Sequence, residues 1–369
     1  MNVLHFLDTT NRGGAETQVL DICRNAREFG LNMTFVTAQG GTLEGVFRES
    51  GAEFIKLGRK FPIDLYLASQ LRRIIKDRQI EIVHGYQAVE GIHLYLAARG
   101  LKDVRRVLSF QGGSVYDWKN RRALRFLIPR MDANVVVSHG LKRLHAEADR
   151  FDVSNFTVIP NGADPKRLRP TGKGLRNELG LDSDVPLIGM VGNFYSEPRK
   201  DQFAVCRALP LVLERFPSVH LAFAGKVDGG GEDKFADCLN YCLTNGIADR
   251  VHFLGGRSDI GEILADLDVF VLSSRREGLP VAVSEAMLAG LPLILSDIDP
   301  LIEVSDDGRC AEIFRTGDHE SLAESIMNLL GDDERRQKLA TAGYDHAVAN
   351  YSIEAHLRGL KELYRRISK

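Results

Sequence analysis

Long apolar runs are missing from this chain. Nowhere do about eighteen apolar residues follow one another unbroken, so no membrane-spanning helix is expected. The opening MNVLHFLDTTNRGG also lacks a basic segment followed by a long apolar one. Without such a leader, the expected location is the cytoplasm. Cysteine is scarce. Cys23, Cys206, Cys238, Cys242 and Cys310 are odd in number and scattered, which argues against a disulfide framework and fits reduced thiols. Cys238 and Cys242 stand four apart in a helical pattern, but no second Cys or His pair completes a zinc set, so no metal site is expected.

The 369 residues exceed the size at which one hydrophobic core keeps growing, and two domains are the default expectation. With 44% apolar and 27% charged residues the composition is that of a globular protein. The net charge is only −2, yet residues 1–170 hold 26 Lys and Arg against 18 Asp and Glu, and the remainder reverses the balance. A basic half suits an anionic surface or acceptor, although two unrelated domains can differ as much by chance.

Short β-rich runs alternate with amphipathic patterns. NVLHFLD, NMTFVTA, EFIKLG, EIVHGY, RRVLSF, ANVVVSH and FTVIPNG form a first series, and LIGMVGNF, HLAFAGK, RVHFLGG, VFVLSS and PLILSD a second. Such alternation predicts two doubly wound α/β domains with parallel sheets, each sheet offering a ligand edge at the carboxyl ends of its strands. Between the series, Asp164 to Pro186 loses periodicity and gains Pro, Gly and charge, which predicts a linker. The expected domains are 1–170 and 171–352, with a terminal helix over 353–369 that packs back on the first.

Three stretches carry chemistry. TTNRGGAETQVL follows the first strand and opens a helix, where Gly13 and Gly14 let the backbone approach a ligand. The stretch is not G-x-G-x-x-G and no acidic ribose reader follows, so a dinucleotide fold is disfavoured. In MVGNFYSEPRKDQF, Arg199 and Lys200 precede a helix, where the helix dipole makes cations unfavourable unless an anion binds. The third stretch, SSRREGLPVAVSEAMLAG, carries Glu277 before a helix and Glu285 inside it. Eight residues of helical rise set their backbones about 12 Å apart, whereas a glycosidase acid/base pair needs about 5 to 9.5 Å. The two carboxylates are therefore expected to touch different parts of one extended ligand.

Taken together, these residues resemble the retaining nucleotide-sugar glycosyltransferases of GT-B architecture, specifically family 4, over essentially the whole chain. EGLPVAVSE matches that family's Glu-x7-Glu motif, and GGAE, VIPNGAD and the basic loop at Arg199 and Lys200 stand in the expected order. The resemblance implies two Rossmann-like domains with an interdomain cleft, the first binding acceptor and the second the donor. It places Glu277 beside the donor sugar, Gly278 and Leu279 near sugar and phosphate, and Glu285 on the ribose hydroxyls. Lys200 would neutralise the diphosphate, Gly14 would face it, and backbone at Gly256 and Arg257 would lie near the base. The implied activity is retaining sugar transfer to a glycan or lipid-linked acceptor, from a UDP-sugar by preference or else GDP-mannose. It needs no metal or further cofactor, and no nucleic-acid partner is implied.

The chain departs from the family at two points. Asn193 follows the strand-end Gly192 where many relatives have Arg, and Gln111 stands where many have His. An amide can bond a sugar hydroxyl but cannot act as a base near neutral pH. His84 and His139 also end strands, so Gly13, His84 and Gln111 are candidates for the acceptor or reacting centre. Two alternatives remain, a non-catalytic nucleotide-sugar-binding protein and a GT-B epimerase. DWKNRRALRFLIPR adds a basic amphipathic segment whose Trp118, Arg121, Arg122 and Arg125 suit an anionic membrane, or else simply pack a helix on the sheet with a solvated basic face.

Overall fold

The computed structural model describes residues 1–112, 117–172, 174–197 and 199–369. The chain divides into two compact units, Met1–Gly162 with Ile353–Lys369, and Ala163–Ser352. The first holds a seven-stranded sheet of β1 (Asn2–Leu7), β2 (Asn32–Thr37), β3 (Glu53–Lys56), β4 (Ile82–Gly85), β5 (Arg105–Phe110), β6 (Ala133–Val136) and β7 (Phe156–Val158). Its order is β3-β2-β1-β4-β5-β6-β7, and every pairing is parallel. Val3, Leu4 and Phe6 are fully buried, as a strand covered on both faces requires.

Helix Ile353–Ser368 lays Leu357, Leu360, Leu363 and Tyr364 into the same core cluster as Val3, Ile82 and Val135 of the sheet. Beneath it lies a buried polar network. The Tyr364 hydroxyl is 2.6 Å from His84 Nδ1 and 3.1 Å from His5 Nε2. Ser109 Oγ takes the other His84 nitrogen at 2.6 Å, and the Tyr86 hydroxyl the other His5 nitrogen, also at 2.6 Å. Burial, helped by His356, holds the His5 pKa at about 3, so its ring stays neutral. We expect Tyr364→Phe to cost about 1–3 kcal/mol, because it strands buried imidazole nitrogens. Urea unfolding with an unchanged m-value checks this.

The second unit holds six parallel strands, β8 (Leu187–Val191), β9 (His220–Ala224), β10 (Val251–Phe253), β11 (Val269–Leu272), β12 (Leu293–Ser296) and β13 (Glu312–Phe314), in the order β10-β9-β8-β11-β12-β13. Strand β13 has no counterpart among the runs read from the sequence, although β7 and β10 are equally short. The predicted linker at 164–186 is corrected. Its described residues fold as part of this unit, with Thr171 bonded to Glu262 and the Arg176 guanidinium to the Asp268 carboxylate at 2.7 Å and the Asp266 carbonyl at 3.0 Å. Charge that reads as solvated loop is spent on partners within the unit.

Candidate functional site

In the second sheet the chain winds outward from β8 through β9 and β10, then returns to lay β11 on the other side of β8. Ligands bind at the carboxyl ends of strands where winding reverses in this way. Two loops meet there. The Asp201 N–H donates to the Ser273 carbonyl at 2.9 Å, and the Arg275 N–H to the Arg199 carbonyl at 2.7 Å. These bonds stitch the loop after β8 to the loop after β11.

The stitching brings Lys200 and Glu277 together. Lys200 Nζ donates to Glu277 Oε1 at 2.6 Å, with side chains 12% and 13% exposed. Ser274 Oγ lies 2.7 Å from the same oxygen. The lysine stem runs over Gly192, where an added Cβ would stand 3.0 Å from Lys200 Cε. At the end of β9, Gly225 abuts that turn so closely that a Cβ would lie 2.1 Å from the Gly192 carbonyl oxygen. Glycine at both strand ends thus sets the height of the ammonium.

Glu285 lies elsewhere on the same element. It is buried within helix Val281–Leu288, and Arg167 donates to its Oε1 at 2.7 Å. Each carboxylate therefore has its own cation. The helix opens on Pro280 with no side-chain cap and no acidic residue in its first turn, where a helix start carries its positive end. Gly278 and Leu279 are buried just before it.

Other candidates are placed differently. The Arg199 guanidinium pairs with Glu197 at 2.8 Å, and only its backbone joins the Lys200 loop. Asn193 uses its side chain as a brace, accepting the Lys226 N–H at 3.1 Å and donating to the Tyr195 hydroxyl at 3.1 Å. Arg257 is clamped by Asp259 at 2.6 Å and Glu178 at 2.7 Å, and those hydrogen bonds raise its pKa.

In the first unit, winding reverses between β1 and β4. Gly13 caps helix Gly14–Asn25 at this edge, and the Gln111 Oε1 just past β5 is buried without a partner among the described residues. His84 does not reach the edge. It lies within β4, 1% exposed, with both nitrogens bonded inside the network under Tyr364, so its expected place near the reacting centre is corrected. His139 is exposed at the start of helix His139–Glu147.

Three residues escaped the sequence reading. Arg167 sat in the supposed linker, and Ser274 has no pattern of its own. The third, Glu90, was visible as a lone charge in the apolar run AVEGIHLYLAA. Its Oε1 accepts the Asp8 N–H at 3.0 Å, and Oε2 has no partner among the described residues. Asp8 is itself gripped by Arg59 through two bonds of 2.6 Å. As for metals, the one Cys, His and carboxylate group among the described residues with ligand atoms close together is Asp306, Cys310 and His346. It shares no residue with the Lys200–Glu277 pair.

Residues 173–346 match the family described as Glycosyl transferases group 1, and residues 12–167 that described as Glycosyltransferase Family 4. The UDP-Gal:alpha-D-GlcNAc-diphosphoundecaprenol alpha-1,3-galactosyltransferase of Escherichia coli is 27% identical over 82% of this chain and 79% of its own. The lipopolysaccharide core biosynthesis mannosyltransferase LpsB of Rhizobium meliloti is 27% identical over 66% and 68%. Among solved structures, HepE of Anabaena in complex with UDP superposes with a TM-score of 0.85 at 18% identity, covering 99% of this chain and 100% of that one. A glycosyltransferase from Rickettsia africae gives 0.86 at 18%, covering 100% and 98%. These likenesses show the GT-B fold.

Proposed function

The chain belongs to the group 1, family 4 glycosyltransferases, and from that premise we propose that it moves a sugar from a nucleotide diphosphate sugar, a UDP-sugar by preference, to a glycan or lipid-linked acceptor with retention of configuration. The observation that carries this reading is the pair of carboxylates, each with its own cation, on either side of one helix start. A diphosphate at that start meets the positive helix end and Lys200, which oppose the charge growing on the leaving group. Positive charge from these sources lets the reaction run without a metal. Glu277, freed in part from Lys200 by the phosphate, turns to the donor sugar, with Gly278 and Leu279 beside it. Glu285, steadied by Arg167 through one oxygen, keeps the other for the ribose hydroxyls. Arg257 and Gly256 lie towards the base.

UDP is favoured because the similar HepE was solved with UDP and the E. coli relative is named for UDP-Gal. The first unit would take the acceptor, with Gly13, Gly14 and Gln111 at its ligand edge. A lipid-linked acceptor fits the names of the E. coli and Rhizobium relatives and a peripheral stance on the inner membrane face. Among the described residues no helix is long and apolar enough to cross a membrane.

A thermal-shift screen with UDP-, GDP- and ADP-sugars tests the reading. One nucleotide series should stabilise the protein by about 3 kcal/mol at about a hundredfold excess over Kd. Glu285→Ala should weaken that binding at least about tenfold, since one diol contact of about 1.4 kcal/mol is tenfold. Absence of a shift with every series would overturn the donor assignment.

A further inference from the structure

Large apolar side chains are exposed at few places, and four of them fall within six positions. Phe61 is 64% exposed, Ile63 57%, Leu65 70% and Tyr66 70%. Large apolar side chains exposed so close together in the chain point to something they bind.

The tip is not loose chain. Asp64, in its middle, is buried and accepts the N–H groups of Lys60, Tyr66 and Leu67 at 2.9, 3.0 and 3.1 Å. Its own N–H donates to His93 Nε2 at 2.9 Å. Arg59, while gripping Asp8, also donates to the Phe61 carbonyl at 3.2 Å. A buried aspartate and a buried histidine thus hold four apolar side chains outward, against the tendency of such residues to fold inward.

The only tryptophan of the chain, Trp118, is 70% exposed, and topology puts it on the same edge. Helices Leu65–Asp77, Ala88–Ala98 and Trp118–Leu127 follow β3, β4 and β5, whose sheet is all parallel, so each helix starts at the carboxyl ends of the strands. The first packs on the second and the second on the third. At about 8–10 Å per helix pair, the Phe61–Tyr66 tip and Trp118 lie about 20 Å apart along one edge.

Cations frame this edge. Lys60, Lys119 and Arg122 are exposed, and Arg122 shares the Trp118 face of its helix at i, i+4. Arg121 does not join them, because its guanidinium turns to the buried Asp149 carboxylate at 3.4 Å, and Arg125 donates to the Asp149 carbonyl at 3.3 Å. We propose that the Phe61–Tyr66 tip and Trp118 insert together into the interface of an anionic lipid bilayer, with Lys60, Lys119 and Arg122 on its headgroups. Apolar side chains ringed by cations match a negatively charged bilayer, with a tyrosine and a tryptophan suited to the headgroup level. The surface also gives the lipid-linked acceptor reading a physical route, yet it stands on no step of the transfer reaction.

Vesicles of phosphatidylcholine, with and without about one third phosphatidylglycerol, test it on the full chain without nucleotide sugar. Wild type should co-sediment with the anionic vesicles, and the emission of its single tryptophan should shift to the blue as Trp118 leaves water. Phe61→Ser with Leu65→Ser, both at exposed positions, should lower partitioning at least about tenfold at any salt concentration. Lys119→Gln with Arg122→Gln should lower it mainly at low salt. Failure of folded wild type to bind, or undiminished binding by the serine variant, would overturn the proposal. So would a self-association that the serine variant abolishes in the absence of vesicles, since the face would then be a contact between two copies. Each of these failures leaves the nucleotide-sugar reading standing.

Discussion

Lys200→Met is expected to lower turnover by about two to three orders of magnitude, the loss that follows when a preorganised charge is withdrawn from a leaving group. Methionine keeps an alkyl stem over Gly192, so the change removes charge more than packing. Because Lys200 contacts Glu277 at 2.6 Å with both side chains largely buried, the variant also strands a carboxylate, at a cost of about 3–5 kcal/mol in stability. Adding Glu277→Gln separates the two effects. The double variant should regain most of the melting temperature and none of the turnover. Nucleotide affinity should fall less than turnover in the single variant, since charge stabilisation matters most where charge develops. Turnover within a few-fold of wild type in folded Lys200→Met would remove the lysine from the mechanism.

Glu90→Gln changes the pH dependence of stability. Burial raises the Glu90 pKa to about 7 from an ordinary 4.5, the N–H groups of Glu90 and Asp8 opposing the rise and the Asp8 and Glu16 carboxylates adding to it. Arg59 is near, but its guanidinium is committed to Asp8. A carboxyl whose folded pKa is raised binds its proton more tightly folded than unfolded. Its contribution is therefore fully present below pH 4.5 and is lost as pH climbs through about 7. Glutamine is neutral throughout and can still accept the Asp8 N–H. The variant should gain on wild type by about 3 kcal/mol between the two ends of that window, the equivalent of the shift at about 1.4 kcal/mol per unit. Urea unfolding at pH 4.5, 6 and 8 reads this directly, and a constant difference would mean that Glu90 titrates normally.

The two ligand edges were legible to different degrees, and the reason is physical. In the second unit the Glu-x7-Glu spacing follows from one continuous loop and helix, so rise per residue alone set the two carboxylates apart. Their cations come from afar in sequence. Lys200 was found because a lysine before a helix start is out of place, whereas Arg167 looked like solvated linker. In the first unit, chain order suggested that a strand-end histidine faces ligand. It did not reveal that the terminal helix would roof His84 and His5, taking their nitrogens with Tyr364.

By itself the sequence determined the two α/β series, through apolar runs alternating with amphipathic periods, and the separation of Glu277 from Glu285, through helical rise. Those are properties of contiguous chain. Tertiary structure alone decided which cation serves which carboxylate, that Glu90 is a buried acid, that His84 is structural, and that Phe61, Ile63, Leu65 and Tyr66 face water. Each of these turns on groups brought together across a sheet or left uncovered by it, and an apolar residue in a sequence looks the same whether the fold will bury it or hold it out.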